Sequence, residues 1–370
     1  MNVILFFTYD ISLKTWQEIG LLEREMKYFN KLIKYGIKLT LVTYGDSSDL
    51  GIINNSNISV IPIYSLYRKP RRRLAKYFKS FIIPYLIRNE LKNCDLIKTN
   101  QLLGSWVAII SKIFFRKKLI IRTGYDLLTF NLKNKKSFLI IMFTYLLTIF
   151  SIIFSNKYFV SSKTDKNFLN KITLKFFYKK IIIVRNWIEF EENVNLQKRS
   201  NTLLTVGRLE NQKNLFFLVN LAKKYNYSLD IIGSGSLKKE LVKASYGNTN
   251  INFLGNFSNT KLLEIYKNYK IFILASFFEG NPKSMLEAMS AGCIVVASNI
   301  PNINEIITNG KNGYLHDFDQ DEIKNVLETI FAGKQNSEII ENSRNTVRDD
   351  FNLNTLAYKE VEIIKKLTKN

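Results

Sequence analysis

One histidine and two cysteines are all that 370 residues offer of the side chains that most often hold transition metals. The histidine, His316, stands in the polar run GYLHDFD and reads as a surface loop residue. Without a second histidine, a histidine-rich metal site is excluded, and so is a Ser-His-Asp triad built on another one. Cys94 and Cys293 lie far apart without metal-ligand spacing. That argues for a reducing compartment and against a disulfide framework. No secretory leader is expected either, since Met1 runs directly into the strand-like residues 3–7 with no basic segment before them.

Acid is scarce in the first half. Residues 1–187 carry 32 Lys+Arg against 10 Asp+Glu, a net of +22, whereas residues 188–370 carry 22 against 21, a net of +1. A compositional bias alone would spread over both halves. The first half is therefore expected to face something anionic: a membrane surface, a nucleic acid or an acidic substrate. Length suggests two domains.

What is present is a regular alternation of short apolar runs and amphipathic stretches. Residues 3–8, 37–43, 58–62, 95–98, 118–122 and 181–185 read as strands, and 19–34 as a helix. Arg68, Lys69, Arg71, Arg72, Arg73, Lys76 and Lys79 run among Leu74, Tyr77, Phe78 and Phe81. They read as an amphipathic helix whose cationic face suits an anionic membrane or is simply solvated. The uncharged segment 137–155, SFLIIMFTYLLTIFSIIFS, reaches the lower limit for a membrane span. It leads straight into the strand-like KYFVSS of 157–162, and spanning would put two sides of one domain on opposite faces of a membrane. A buried or membrane-surface helix is expected instead.

The alternation restarts after a polar stretch, residues 189–201. Strand–helix pairs follow at 202–206 and 215–225, 228–232 and 236–244, 251–254 and 259–268, and 271–275 and 284–291. A strand at 294–297 comes next, and a long helical pattern covers 353–366. The pattern predicts an α/β protein with mostly parallel sheets covered on both faces. The expected domains are residues 1–186, residues 187–350 and a terminal helix, 351–370.

Three loops carry candidate chemistry. Gly207-Arg208-Leu209-Glu210-Asn211-Gln212-Lys213-Asn214 joins a strand to a helix, so Arg208 and Lys213 can converge on one anion. Gly233-Ser234-Gly235-Ser236 follows the next strand, but Lys238 at the third glycine position leaves a dinucleotide fingerprint unsupported. A ligand approaching the backbone and a plain turn both fit it. The third loop runs from Ser276 to Lys283 and is bracketed by Glu279 and Glu287. It feeds a helix whose N-terminus suits a phosphate. Ser284-Met285-Leu286-Glu287 is also a capping box, so Glu287 either closes the helix start or accepts hydrogen bonds from a vicinal diol such as ribose.

The ordered set VGRLENQKN, DIIGSGSLKKEL, INFLGNFSNTKLLEIY, ILASFFEGNPKSMLEAMSAGCIVVAS and EIITNGKNGYL resembles the retaining glycosyltransferases of family 4, which have the GT-B fold. Glu279 and Glu287 match the family's E-x7-E motif. The resemblance covers about residues 180–320, and the first half matches mainly in architecture. It implies two Rossmann-like domains facing a cleft. It further implies that Arg208 and Lys213 bind the diphosphate of a sugar nucleotide, that Gly207 and Gly233 are donor-binding, and that Glu287 binds the ribose. Glu279, Gly280, Asn281, Pro282 and Lys283 would face the donor sugar. Amides at Met285 and Leu286 would cradle phosphate oxygens, Ser284 would be donor-binding, and Phe253 and Leu254 would lie near the base.

Two departures stand out. Relatives carry a glycine pair after the first strand, where this chain has Thr8-Tyr9-Asp10-Ile11-Ser12. They also carry a histidine where this chain has Arg122-Thr123-Gly124-Tyr125-Asp126. Asp126 joins Glu279, Arg208 and Lys213 as a catalytic candidate. Tyr9, Asp10, Arg122, Gly124 and Tyr125 are acceptor-side candidates, with a structural Arg122–Asp126 pair as the alternative.

The resemblance thus implies a cytoplasmic enzyme of bacterial surface-polysaccharide biosynthesis. It would move a sugar from a nucleoside-diphosphate sugar to a glycan or lipid-linked acceptor. Neither a metal nor another cofactor is expected, and no nucleic-acid partner. Peripheral contact with an anionic membrane is expected from the basic half. The rival readings are a GT-B sugar-nucleotide epimerase or hydrolase, and a basic nucleic-acid-binding protein.

Overall fold

The computed structural model describes residues 1–196, 199–333 and 335–369. The chain forms two compact units, Met1–Arg185 with Leu356–Asn370, and Asn186–Thr355.

The first unit holds seven strands: β1 (Asn2–Phe6), β2 (Lys38–Thr43), β3 (Ile58–Pro62), β4 (Leu96–Thr99), β5 (Lys118–Arg122), β6 (Lys157–Val160) and β7 (Ile181–Ile183). They lie in the order β3-β2-β1-β4-β5-β6-β7, all parallel. Parallel strands are covered on both faces, which is why β1, β4 and β6 are buried along nearly their whole length rather than at alternate residues.

The helix expected over 19–34 starts later, at Leu22, and runs to Lys34, and a separate short helix, Leu13–Glu18, precedes it. Gly20, at φ +71°, turns the chain between them. The basic amphipathic helix is also shorter than expected: it spans only Arg73–Lys79 and buries none of its residues, and both Leu74 and Phe78 point to solvent. Segment 137–155 forms the helix Phe138–Phe154. Among the described residues, no helix is long and apolar enough to cross a membrane.

Three charged side chains meet inside this unit. Glu360, on the terminal helix Leu353–Lys369, accepts from Lys98 Nζ through Oε1 and from Arg122 Nη1 through Oε2 at 3.0 Å. The Tyr28 ring lies beside both cations, 5.4 Å from Lys98 Nζ and 6.0 Å from the Arg122 guanidinium. Burial alone would raise the Glu360 carboxyl, but the two cations hold it below the usual carboxylate range.

The second unit holds β8 (Ser200–Val206), β9 (Leu229–Ile232), β10 (Ile251–Gly255), β11 (Tyr269–Leu274), β12 (Ile294–Ser298) and β13 (Tyr314–His316), parallel in the order β10-β9-β8-β11-β12-β13. The winding reverses between β8 and β11, so the loops after these two neighbouring strands part at a topological switch point. Sequence periodicity missed two helices here, Gln320–Phe331 and Asn336–Phe351.

His316 is not a surface residue. It ends β13 and is 1% exposed, with Nε2 donating to Leu274 O at 3.2 Å and Nδ1 accepting from Phe318 N at 3.2 Å. That pattern assigns the neutral Nε2–H tautomer. Burial lowers its pKa to about 4. The polar neighbours in GYLHDFD belong to the turn that follows the strand, and they masked a buried strand end.

Candidate functional site

The site is assembled from the carboxyl ends of β8 to β11. Gly207 N donates to Ile232 O at 2.9 Å, Leu209 N to Ser234 O at 2.8 Å, and Gly233 N to Gly255 O at 2.8 Å. These bonds zip three successive loops together. Gly233, at φ +142°, is demanded by that packing: a Cβ there would stand 1.8 Å from Gly207 O. The close approach is made by the neighbouring loop, so it explains the glycine without a ligand. Glu210 pins the same junction, accepting from Ser236 N at 2.9 Å and Ser236 Oγ at 2.8 Å. Those bonds hold its carboxyl below the usual range. On β10, Asn256 just beyond the strand donates to Ser234 Oγ at 2.9 Å, and Leu254 is partly exposed.

After one 3-10 turn, Asn211–Lys213, Asn214 takes a left-handed conformation and starts the helix Leu215–Tyr225. The turn swings Lys213 back over Gly207, where an added Cβ would meet its Cε at 3.1 Å. Lys213 Nζ lies 2.5 Å from Glu279 Oε1, which also accepts from Ser276 Oγ at 2.6 Å. The two loops are tied again through backbone, from Phe277 N to Gln212 O at 2.9 Å and from Gln212 Nε2 to Phe278 O at 2.7 Å. Arg208 is exposed, and its Nη2 reaches Gln212 Oε1 at 3.3 Å. An opposed Lys–Glu pair beside a solvent-facing guanidinium can receive a dianionic group on the cationic side and a hydroxylated group on the carboxylate.

The loop after β11 is supported from below. Asn302 Nδ2 donates to the carbonyls of Glu279 at 2.7 Å and Gly280 at 2.9 Å. Asn186 Nδ2 reaches Asn281 O at 3.3 Å. Lys283 Nζ sits 4.2 Å from the centre of the Trp187 ring.

The capping box does not form. Pro282, extended at φ −73° and ψ 100°, is the N-cap of the helix Lys283–Ser290, with no side-chain cap bond, so the helix starts ahead of Ser284. Glu287 is bonded from the helix Asn259–Tyr266. Its Oε1 accepts from Asn259 Nδ2 at 3.0 Å and its Oε2 from Tyr266 OH at 3.4 Å, at 6% exposure. Burial first, and the Glu287 charge second, push the Tyr266 phenol well above its ordinary value. One expected phosphate donor is lost: Leu286 N already donates to Pro282 O at 3.2 Å. First-turn amides such as those of Ser284 and Met285 have no carbonyl partner inside the helix.

The candidates of the first half lie at the carboxyl ends of β1 and β5. In the loop lacking glycine, Asp10 itself adopts φ +61°, a conformation Asp tolerates better than most residues. Its carboxylate pairs with Lys76 Nζ at 2.9 Å. The Tyr9 ring packs against Tyr44 at 5.1 Å and Trp106 at 5.2 Å. Gly124 N donates to Gln101 Oε1 at 2.9 Å, and Tyr125 is exposed. Arg122 and Asp126 do not form the alternative pair. Arg122 is committed to Glu360, and Asp126 Oδ1 caps the helix Leu127–Lys133 by accepting from Thr129 N at 2.6 Å. Burial pushes the Asp126 carboxyl up, with the Thr129 bonds opposing. An inward helix cap is poorly placed to take a proton from a ligand.

Sequence reading missed Asn259, Asn302 and Ser276. Ser276 stands in the quoted motif three residues before Glu279 and was legible as a neighbour. The two asparagines reach the site from separate helices, and their spacing carries no signal.

Residues 188–346 match the family model described as Glycosyl transferases group 1. Over 330 residues the chain is 28% identical to the O-antigen biosynthesis glycosyltransferase WbnH of Escherichia coli, covering 87% of this chain and 90% of that one. Among solved structures, sucrose-phosphate synthase from Thermosynechococcus elongatus matches with a TM-score of 0.78 at 16% identity, covering 99% of both chains. Anabaena Alr3699/HepE in complex with UDP-glucose matches with a TM-score of 0.74 at 16% identity, over 98% of this chain and 99% of that one. The fold is GT-B, and the matches together support a glycosyltransferase of polysaccharide biosynthesis.

Proposed function

We propose that the chain is a retaining glycosyltransferase of family 4. It moves a sugar from a nucleoside-diphosphate sugar to a glycan or lipid-linked acceptor of a surface polysaccharide. The observation that carries this reading is the Lys213–Glu279 pair at the switch point between β8 and β11. Arg208 and Lys213 hold the diphosphate and stabilise its charge as it leaves, a task that needs no metal when two cations and a helix start converge on it. Glu287 takes the ribose hydroxyls, its carboxylate oriented by Asn259 and Tyr266. Glu279 and the backbone of Gly280 to Lys283 face the donor sugar. No histidine serves as base, so the departing phosphate accepts the proton of the attacking hydroxyl. The WbnH likeness supports a surface-glycan acceptor, and the UDP-glucose complex of the Anabaena neighbour makes uridine donors the first to test.

The first half, with its net +22, meets the membrane that carries a lipid-linked acceptor, by peripheral contact at the cytoplasmic face. A thermal-shift screen over sugar nucleotides tests the donor. A ligand at about 100 times its dissociation constant stabilises by roughly 2.7 kcal/mol. Lys213→Ala and Glu287→Ala should abolish both the shift and transfer while the protein stays folded; full activity in both would remove the assignment.

A further inference from the structure

The helix Phe138–Phe154 is built inside out. Its buried stripe is Thr144, Leu147, Thr148, Ser151 and Ile152, so the hydroxyl-bearing residues face the unit. Large apolar side chains face outward: Phe138 is 75% exposed, Leu139 69% and Phe150 52%, with Met142, Phe143 and Leu146 also exposed. A helix on a water-facing surface shows the opposite arrangement. Exposed apolar surface this extensive marks an interaction site.

The inward hydroxyls are satisfied. Thr144 Oγ1 donates to Ile140 O at 2.9 Å and Thr148 Oγ1 to Thr144 O at 2.8 Å, while Ser151 Oγ meets Ser105 Oγ at 2.9 Å. The carbonyls at the far end are satisfied as well, Phe154 O by Lys112 Nζ at 2.5 Å and Ile153 O by Lys180 Nζ at 2.7 Å. A helix whose polar groups are met internally and whose exposed face is apolar is matched to lipid as its surroundings.

We propose that the outward face of Phe138–Phe154 inserts into an anionic bilayer, with the helix lying in the plane of the membrane surface. The inference rests on the peripheral contact proposed above and names the surface that makes it. Charge identifies the occupant. Lys133, Lys135 and Lys136 precede the helix, Lys157 follows it, and residues 127–164 contain no Asp or Glu. Such lysines reach phosphate headgroups while the apolar face enters the acyl boundary. A second copy of the chain would bring like-charged flanks together. At 1.5 Å per residue the helix is about 25 Å long, short of the roughly 30 Å hydrocarbon core, so it lies in the surface rather than across it.

The test is sedimentation of the full chain with phosphatidylglycerol/phosphatidylethanolamine vesicles, at low salt and at about 1 M salt, where the Debye length falls to about 3 Å. The wild type should stay bound at high salt. A variant carrying Phe138→Gln, Leu139→Gln, Leu146→Gln and Phe150→Gln should lose at least about tenfold in partitioning, since four large apolar side chains no longer enter lipid. Independently of how that variant folds, a bimane label on Phe143→Cys should be quenched by bromine-bearing acyl chains. Release of the wild type at high salt would leave only an electrostatic contact and overturn insertion, as would an unquenched label. A lipid-free dimer dissolved by the glutamine variant would assign the face to a second copy instead. Donor thermal shifts recorded without vesicles separate this outcome from failure of the glycosyltransferase reading.

Discussion

Lys213 Nζ and Glu279 Oε1 stand 2.5 Å apart, joining the loop after β8 to the loop after β11. On the donor site proposed above, the carboxylate occupies the ammonium that a diphosphate would use. Glu279→Ala should therefore leave UDP binding unchanged or a few-fold tighter, while lowering kcat by about 10²–10³, the usual cost of removing an electrostatic contact made at the reacting centre. Calorimetry with UDP and initial rates with the matched donor check the two halves separately. Weaker UDP binding would mean that Glu279 positions Lys213 rather than competing for it.

Asn302 is expected to act through the loop it supports. Its Nδ2 serves two carbonyls, those of Glu279 and Gly280. Asn302→Ala leaves both without that donor, at about 1–3 kcal/mol. KM for the donor should rise more than kcat falls, because the donor-facing backbone loosens while Lys213 and Glu287 remain. Steady-state kinetics over a donor titration read this split.

Glu360 holds two cations that burial would otherwise leave unpaired. Glu360→Ala should cost about 3–5 kcal/mol, as breaking a buried ion pair does. Urea unfolding should show the loss. A change below about 1 kcal/mol would mean that solvent reaches Lys98 and Arg122.

His316 makes a prediction about acid. Its pKa is about 6.5 unfolded and about 4 in the folded protein. The folded pKa is depressed, so this contribution to stability is present above pH 6.5 and is lost as pH falls toward 4. From pH 7 to pH 5 the loss is about 2 kcal/mol, at 1.36 kcal/mol per pH interval of one. His316→Leu should remove that part of the pH dependence, seen as the difference between urea curves of the two proteins at pH 7 and pH 5. Equal slopes in both would show that the histidine is protonated in place.

The repeated strand–helix pattern was legible because buried parallel strands are short unbroken apolar runs, as in ILF of β1 and IFIL of β11. The motif residues Arg208, Lys213, Glu279 and Glu287 stand out in the sequence because they fall within two short stretches. What sequence hid has identifiable causes. Glu360 meets Lys98 across 262 residues, a separation that no local pattern reports. Ser284 and Glu287 had capping-box spacing, but Pro282 two residues earlier decides where the helix begins. The helix Phe138–Phe154 is apolar nearly all round, so periodicity could not say which face turns inward.

The Glu360 contact also bears on the order of synthesis. Lys98 and Arg122 leave the ribosome early, and the carboxylate that neutralises them emerges after the whole second unit has been made. At roughly 5–20 residues per second, the 175 residues between positions 185 and 360 take about 9–35 seconds. Throughout that interval the nascent first unit carries two cations whose counter-charge does not yet exist, so its charged interior closes only when the chain is nearly finished.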